Sequence, residues 1–174
     1  MFKPIRWNTF IRDFIRIEIG FMIFGLAITL MIRGNIGTSA WAVLEVALAN
    51  KLGISIGTMT VLMGFMVLSG ALIMREKIGW GTLGNILSIG PWEDMWLSII
   101  PSVKDNLPLQ IGMLLLAILL MGLASAIYIG VDAGAGPRDS MMLATKRTTG
   151  ISIRAARAII EVTVVTIGWL LGGP

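Results

Sequence analysis

The sequence predicts an all-α, polytopic helical membrane protein built from two inverted structural repeats. Each repeat holds three spans plus a short re-entrant or half-helix motif, and the last span is absent from this chain. Three observations carry the expectation. Apolar residues make up 56% of the 174 positions and charged residues only 14%, whereas a soluble domain carries about a quarter charged residues. One 20-residue stretch occurs twice in the chain. The number of full spans per repeat is odd, so the second copy must lie upside down relative to the first, as in many secondary transporters.

The repeated stretch organises the rest. Residues 134–153 read G-A-G-P-R-D-S-M-M-L-A-T-K-R-T-T-G-I-S-I, and 97 positions earlier residues 37–56 read G-T-S-A-W-A-V-L-E-V-A-L-A-N-K-L-G-I-S-I. The ungapped offset also carries Gly25-Leu26-Ala27 onto Gly122-Leu123-Ala124. Identity is thin, 11 matches over the 62 pairs from Asp13 to Met74, but seven of the 11 fall in two contiguous blocks. Chance likeness between apolar segments scatters its matches, so clustering favours duplication. The chain then reads as one transmembrane domain, 1–174, with repeat 1 over about 13–100 and repeat 2 over about 108–174.

Taken in order, residues 1–16 form a basic arm with Lys3, Arg6, Arg12 and Arg16, and Trp7 and Phe10 suit a membrane interface. The apolar run at 14–32 has the look of a signal peptide behind its basic front. Its echo at 111–129 assigns it instead to the repeated fold, as the first span. Residues 40–52 are helical in pattern but number only 13 and contain Glu45. About 20 are needed to cross, so this is a re-entrant half-helix or an interfacial helix. Residues 56–74 make a clean second span. Residues 78–100 make a third, with Glu93-Asp94 near one end and Gly79, Gly81, Gly84 and Gly90 allowing close helix packing. A polar loop at 101–108 leads to residues 106–131, which carry no charge over 26 positions. The second motif copy is the most basic interior region, with Arg138, Lys146, Arg147, Arg154 and Arg157, and a final apolar run, 158–174, contains one acid, Glu161.

Cation placement gives the orientation. With the N-terminus cytoplasmic and neither motif crossing, 11 of the 14 Lys and Arg face inside and only Arg33, Lys51 and Lys104 face outside, as the positive-inside rule requires. A multi-pass membrane protein with its N-terminus in the cytoplasm is expected. Position 174 corresponds to Lys77 under the repeat offset, so the partner of the 78–100 span would lie beyond residue 174.

Several functions are disfavoured. Zero Cys and zero His remove disulfides, thiol chemistry, His-based zinc or haem sites and the usual proton-transfer base. The net charge of +4 belongs to cations flanking apolar runs, which points to a lipid bilayer and not to nucleic acid. The 12 Met read as packing rather than a copper path. No paired carboxylates, Ser–base pair or metal cluster converge in the sequence, so neither an enzyme nor a cofactor is expected.

The pieces G-x-x-G-T-S-A-W, G-I-S-I-G-T, G-T-L-G-N-I-L-S-I-G-P and G-A-G-P-R-D together resemble the YczE/YyaS/YitT group of bacterial integral membrane proteins, closest to its YczE-like branch, over nearly the whole chain from Gly20 to Gly173. The first motif copy of that group usually reads G-T-S-P-W-D, whereas here Ala40 and Ala42 hold the Pro and Asp positions and only the second copy keeps them, as Pro137 and Asp139. That departure argues against any role for a symmetric pair of aspartates. The resemblance implies a plasma-membrane location and a chain continuing past 172–174; it implies no particular biochemical activity.

Candidate site residues cluster at the second motif. Pro137 fits the first turn of a helix, and Gly134 and Gly136 free the backbone before it. A helix starting there presents unpaired N–H groups and a positive dipole end, an anion site if it lies at membrane depth, with Arg138 adding a bidentate fork. Asp139 would cap the helix or pair with Arg138. The bland alternative is a capped helix at the cytoplasmic surface with solvated basic residues. Gly37, Thr38 and Ser39 are the first-copy counterparts, and Thr38 and Ser39 would either line a polar path or bond neighbouring helices. Glu161 falls on one helical face with Arg154 and Arg157. An ionisable group inside a span costs roughly 2.5–3.5 kcal/mol unless paired, so Glu161 reads as a proton or cation relay or, equally, as an i,i+4 partner of Arg157. Glu45, Glu93 and Asp94, near Trp41, Trp92 and Trp96, read as interface anchors.

The expectation is a small-solute or ion transporter or channel of inverted-repeat type, its substrate held between the hairpins 37–52 and 134–149. The alternative is a non-transporting accessory or regulatory membrane protein acting through a protein partner. Homo-oligomerisation fits either.

Overall fold

A computed structural model describes residues 3–174; the first two residues of the basic arm lie outside the described residues. Seven α-helices follow a short 3-10 turn at Trp7–Thr9: α1 (Phe10–Gly34), α2 (Ala40–Leu52), α3 (Ile56–Ile73), α4 (Trp80–Ile99), α5 (Leu107–Gly130), α6 (Pro137–Thr149) and α7 (Ile153–Leu170). The described residues form an all-helical fold.

The helix bounds repeat at the offset found in the sequence: α2 and α6 both hold 13 residues, α3 and α7 both hold 18, and all four begin 97 positions from their counterparts. The punctuation that sets those bounds repeats as well. Gly53 and Gly150 take left-handed φ values of +68° and +75° and end α2 and α6, a conformation that costs glycine nothing. Two residues on, the hydroxyls of Ser55 and Ser152 accept from the backbone N–H groups of Thr58 and Ala155 and start α3 and α7. The Ser152 cap corrects the boundary expected at 158. The last helix starts at Ile153 and takes Arg154 and Arg157 into its first two turns.

Among the described residues, three helical stretches are long and apolar enough to cross a membrane: Trp7–Gly34, Ile56–Ile73 and Leu107–Gly130. The other long helices, α4 with 20 residues and α7 with 18, match them in length but contain Glu93 and Asp94, and Arg154, Arg157 and Glu161.

Packing joins the copies crosswise. Helix α1 lies along α5 and α4; α2 packs on α7; α6 packs on α3; and α3 packs on α4. One apolar cluster gathers Ile17, Phe21 and Ile28 of α1 with Ile89 and Tyr128, and another gathers Trp41 and Leu44 of α2 with Met59, Met63 and Val164. Small residues set the closest crossings. A side chain on Gly57 would run into the Gly90 carbonyl, and one on Gly90 into the Gly57 carbonyl, so α3 and α4 meet backbone to backbone. At the start of α4, the Gly81 N–H donates to the Ala133 carbonyl at 3.0 Å and the Thr82 hydroxyl to Ala135 at 2.7 Å. These bonds fasten the loop ahead of α6.

The loops gather at two ends of the bundle. At one, the Lys3 N–H donates to the Ile78 carbonyl, the Lys3 ammonium meets Asp132 at 2.7 Å, and Arg147 at the end of α6 pairs with Glu76 and bonds the Met74 carbonyl at the end of α3. At the other, Arg33 bonds the Leu97 carbonyl, Asn35 bonds Ser102 and Val103, and the Val103 N–H donates to Arg33.

Candidate functional site

The site grows from the first turns of the two short helices. Ser39 caps α2, its hydroxyl accepting from the Ala42 N–H at 3.3 Å, and this winds Trp41 and Glu45 onto one face, four residues apart. Gly136 opens α6 with no side-chain cap, and Pro137 occupies the first helical position, where no N–H is needed. Arg138 follows. Its guanidinium bonds Glu45 Oε1 at 2.5 Å and lies over the Trp41 ring, 5.0 Å from the centroid. The stacked pair are counterparts under the 97-residue offset, so the two motif copies meet at equivalent positions.

Glu45 is fully buried, at 0% exposure, whereas Arg138 keeps a quarter of its side chain accessible. A carboxylate taken so far out of water requires a partner charge or a proton. Beside it stands Glu93 of α4, also at 0%. The Gly57–Gly90 contact carries Thr60 to it, one turn further along both helices, and the Thr60 hydroxyl donates to Glu93 Oε2 at 2.8 Å. Glu45 and Glu93 are near enough to repel each other. Glu45 Oε2 and Glu93 Oε1 are buried with no hydrogen-bond partner among the described residues.

Above this cluster opens a cavity of about 470 Å³ to which all seven helices contribute. Arg138, Trp41 and Thr60 form its polar floor, with Tyr128, Asp139, Asn85 and Ser125 on the walls and Arg157 and Glu161 also lining it. The Tyr128 hydroxyl donates to Asp139 at 2.7 Å. Arg157 and Glu161 pair at 2.9 Å, their side chains 63% and 37% exposed. Larger but shallower surface depressions, of about 610 and 710 Å³, lie along residues 7–16 and between Asn35 and Gln110; no comparable set of buried polar groups faces them.

Of the residues expected from the sequence, Ser39, Gly136, Pro137, Arg138, Asp139, Arg157 and Glu161 line the cavity. Gly134 lies behind it, wedged against Gly79 and Thr82 at φ +124°. Gly37 faces open space, and the Thr38 hydroxyl is buried without a partner among the described residues. Asp139 neither caps α6 nor pairs with Arg138; it takes the Tyr128 hydroxyl.

Interface anchoring of the other acids does not hold. Glu45 and Glu93 are core residues. Asp94 caps α3, accepting from the Gly57 N–H at 2.8 Å and the Ser55 hydroxyl at 2.5 Å. Trp41 is buried, while the indole N–H groups of Trp92 and Trp96 bond Glu18 and the Met22 carbonyl of α1. The sequence does contain a signal for Glu45. It is the one charge in the run 40–49, and an unpaired charge in such a run is expensive.

A model of a family of unknown function (DUF6198) matches residues 11–173. The chain is similar to an "Uncharacterized membrane protein YczE" of Bacillus subtilis, 28% identical over 157 residues that cover 89% of this chain and 73% of that protein. It is similar to an "Uncharacterized protein" of Haemophilus influenzae, 30% identical over 151 residues, 87% of this chain and 69% of the other. It is also similar to an "Uncharacterized protein YyaS" of Bacillus subtilis, 26% identical over 159 residues, 90% of this chain and 79% of the other. No solved structure matches the chain.

Proposed function

The chain belongs to this family of unknown function, and we propose that it is a small-solute or ion transporter, or channel, of inverted-repeat type, non-enzymatic and multi-pass in a bacterial plasma membrane. The observation that carries the reading is the meeting of α2 and α6 at the Glu45–Arg138 pair, on the floor of a cavity lined from every helix. Ion pairs and half-helix N-termini gathered around a central cavity are the parts from which such proteins build substrate sites.

Two further features support the inverted arrangement. Helix α2 hands over through residues 53–55 to the start of α3, whereas the last turn of α6 is bonded through Arg147 to the end of α3. The short helices thus leave the cavity toward opposite ends of the same long helix. The end that gathers Lys3, Arg6, Arg75, Lys77 and Arg147 is the cation-rich one, which the positive-inside rule assigns to the cytoplasm together with the N-terminus. The relative named as a membrane protein agrees with this setting.

The accessory reading keeps one observation in its favour: the cavity's charges are paired within the chain, Arg138 with Glu45, Arg157 with Glu161, and Asp139 with the Tyr128 hydroxyl. Charge movement in proteoliposomes separates the two, across a panel of small anions, cations and amino acids. A current or flux with one solute, abolished by Arg138→Ala, is the expected result. Silence across the panel from folded, oriented protein would favour the accessory role. Glu161→Gln tests the rim pair in the same assay; unchanged activity would remove Glu161 from the pathway.

A further inference from the structure

The cavity's own charges are matched, but the buried cluster beneath it is not. Two carboxyl groups, Glu45 and Glu93, face a single guanidinium. Arg138 occupies Glu45 Oε1 and the Thr60 hydroxyl occupies Glu93 Oε2. Glu45 Oε2 and Glu93 Oε1 remain, buried and without a partner among the described residues. Ionised carboxylates only accept hydrogen bonds, so while both are charged neither orphan oxygen can satisfy the other, and the two groups repel.

The other charged groups on the helices around Glu93 make their hydrogen bonds with other residues. On its own helix Asp94 caps α3. On α1, Glu18 accepts the Trp92 indole N–H and Arg33 bonds the Leu97 carbonyl. On α6, Asp139 takes the Tyr128 hydroxyl, and α3 presents only the Thr60 hydroxyl. A divalent metal is a poor occupant, since calcium or magnesium takes about six or more oxygens. The described residues contain no group of three acidic side chains able to hold one. One proton removes the mismatch, because it turns one orphan acceptor into a donor and leaves a single negative charge against Arg138.

We propose that Glu93 and Glu45 form a shared-proton site, two neighbouring buried carboxyl groups that hold one proton between them, with the proton resting on Glu93. Glu45, held by the guanidinium, is the carboxylate of the pair, and Glu93 is the acid. Release is a simple ionisation: the Glu93 O–H bond breaks, the electron pair stays on the carboxylate, and the proton leaves past Thr60 into the cavity. Two carboxylates then compete for Arg138, whose position at the cavity floor shifts. Resting on the transporter reading, this makes the proton the coupling ion and Arg138 the residue through which its presence is felt.

Infrared difference spectroscopy on the full chain in lipid vesicles reads the proton directly. At neutral pH a carbonyl stretch of a protonated carboxylic acid, sensitive to deuterium exchange, is expected in the wild type. Glu93→Gln should remove it and Asp94→Asn should leave it. Thr60→Val, which keeps the side-chain shape and removes the bond to Glu93 Oε2, should shift the band, and it serves as the second probe if Glu93→Gln does not fold. No such band in the wild type, or a band unmoved by both Glu93→Gln and Thr60→Val, overturns the proposal. A wild type without the band that sodium chloride stabilises thermally, through Glu93, would overturn it in favour of a metal cation. The spectroscopy is independent of transport: a band with no solute flux would leave the proton site standing and remove the transporter reading, and flux without the band would do the reverse.

Discussion

Removing Arg138 should expose how much the fold depends on one buried ion pair. Arg138→Met keeps the length and packing of the side chain and deletes the charge, leaving the Glu45 carboxylate, which has no access to solvent, without its partner at 2.5 Å. Leaving a buried charge uncompensated costs about 3–5 kcal/mol. At about 2–4 °C per kcal/mol for a chain of this size, the thermal midpoint should fall by roughly 6–20 °C. Glu45→Leu should cost less, because Arg138 keeps cavity access and the Trp41 face, where a cation–π contact is worth about 0.5–2 kcal/mol. The double variant removes both charges together and should return close to the wild-type midpoint, since apolar replacement of a buried pair is often neutral or stabilising. Circular dichroism melts of all four proteins in one detergent close the cycle. An Arg138→Met loss below about 1 kcal/mol, or a double variant worse than both singles, would refute the claim that these residues are a buried, mutually dependent pair.

Two further outcomes follow from the packing and the arm. Gly57→Ala or Gly90→Ala should each cost at least about 1–3 kcal/mol, because the new methyl meets backbone rather than a flexible side chain; Gly112→Ala, which meets nothing within 4 Å, should be neutral or gain up to about 1 kcal/mol, and equal effects at all three sites would contradict the α3–α4 contact. The hydrogen bond and then the charge of Lys3 hold the Asp132 carboxyl below its usual 3.8. A depressed folded-state value means that the contact is complete above about pH 4 and is lost as pH falls further, so cleavage of the arm by an acid protease should rise only below that point, and a step near neutrality would be wrong for this pair.

Much of the architecture was legible from local chemistry. Apolar run lengths, an ungapped repeat and Pro137 place α2, α3 and α6 almost to the residue, and the Ser and Gly caps that set those bounds are themselves local signals that do not wait on packing. The apolar run alone starts the last span at 158, because the charges of Arg154 and Arg157 interrupt it, whereas the Ser152 cap starts the helix at Ile153. Gly136, Pro137 and Arg138 were visible as a helix start, whereas the partner of Arg138 was not. Glu45 lies 93 positions away, with Trp41 beside it suggesting an interface, and no local pattern encodes a contact made by two helices that approach from different copies. Glu93 was hidden for the same reason: its neighbour Thr60 is set by the Gly57–Gly90 crossing, and one glycine pair among 21 glycines does not announce itself. Helix existence is written locally, but the meeting of helices is not.

The absence of cysteine from the sequence makes the central claim open to direct measurement. Single cysteines at Lys51, in the last turn of α2, and at Thr149, at the end of α6, can be labelled with a membrane-impermeant maleimide in oriented vesicles, from one side and then the other. Both positions are exposed. Lys51→Cys is expected to react only from outside and Thr149→Cys only from the cytoplasmic side. Reaction of Lys51→Cys and Thr149→Cys from the same side would contradict the inverted arrangement and, with it, a substrate site formed where the two short helices meet.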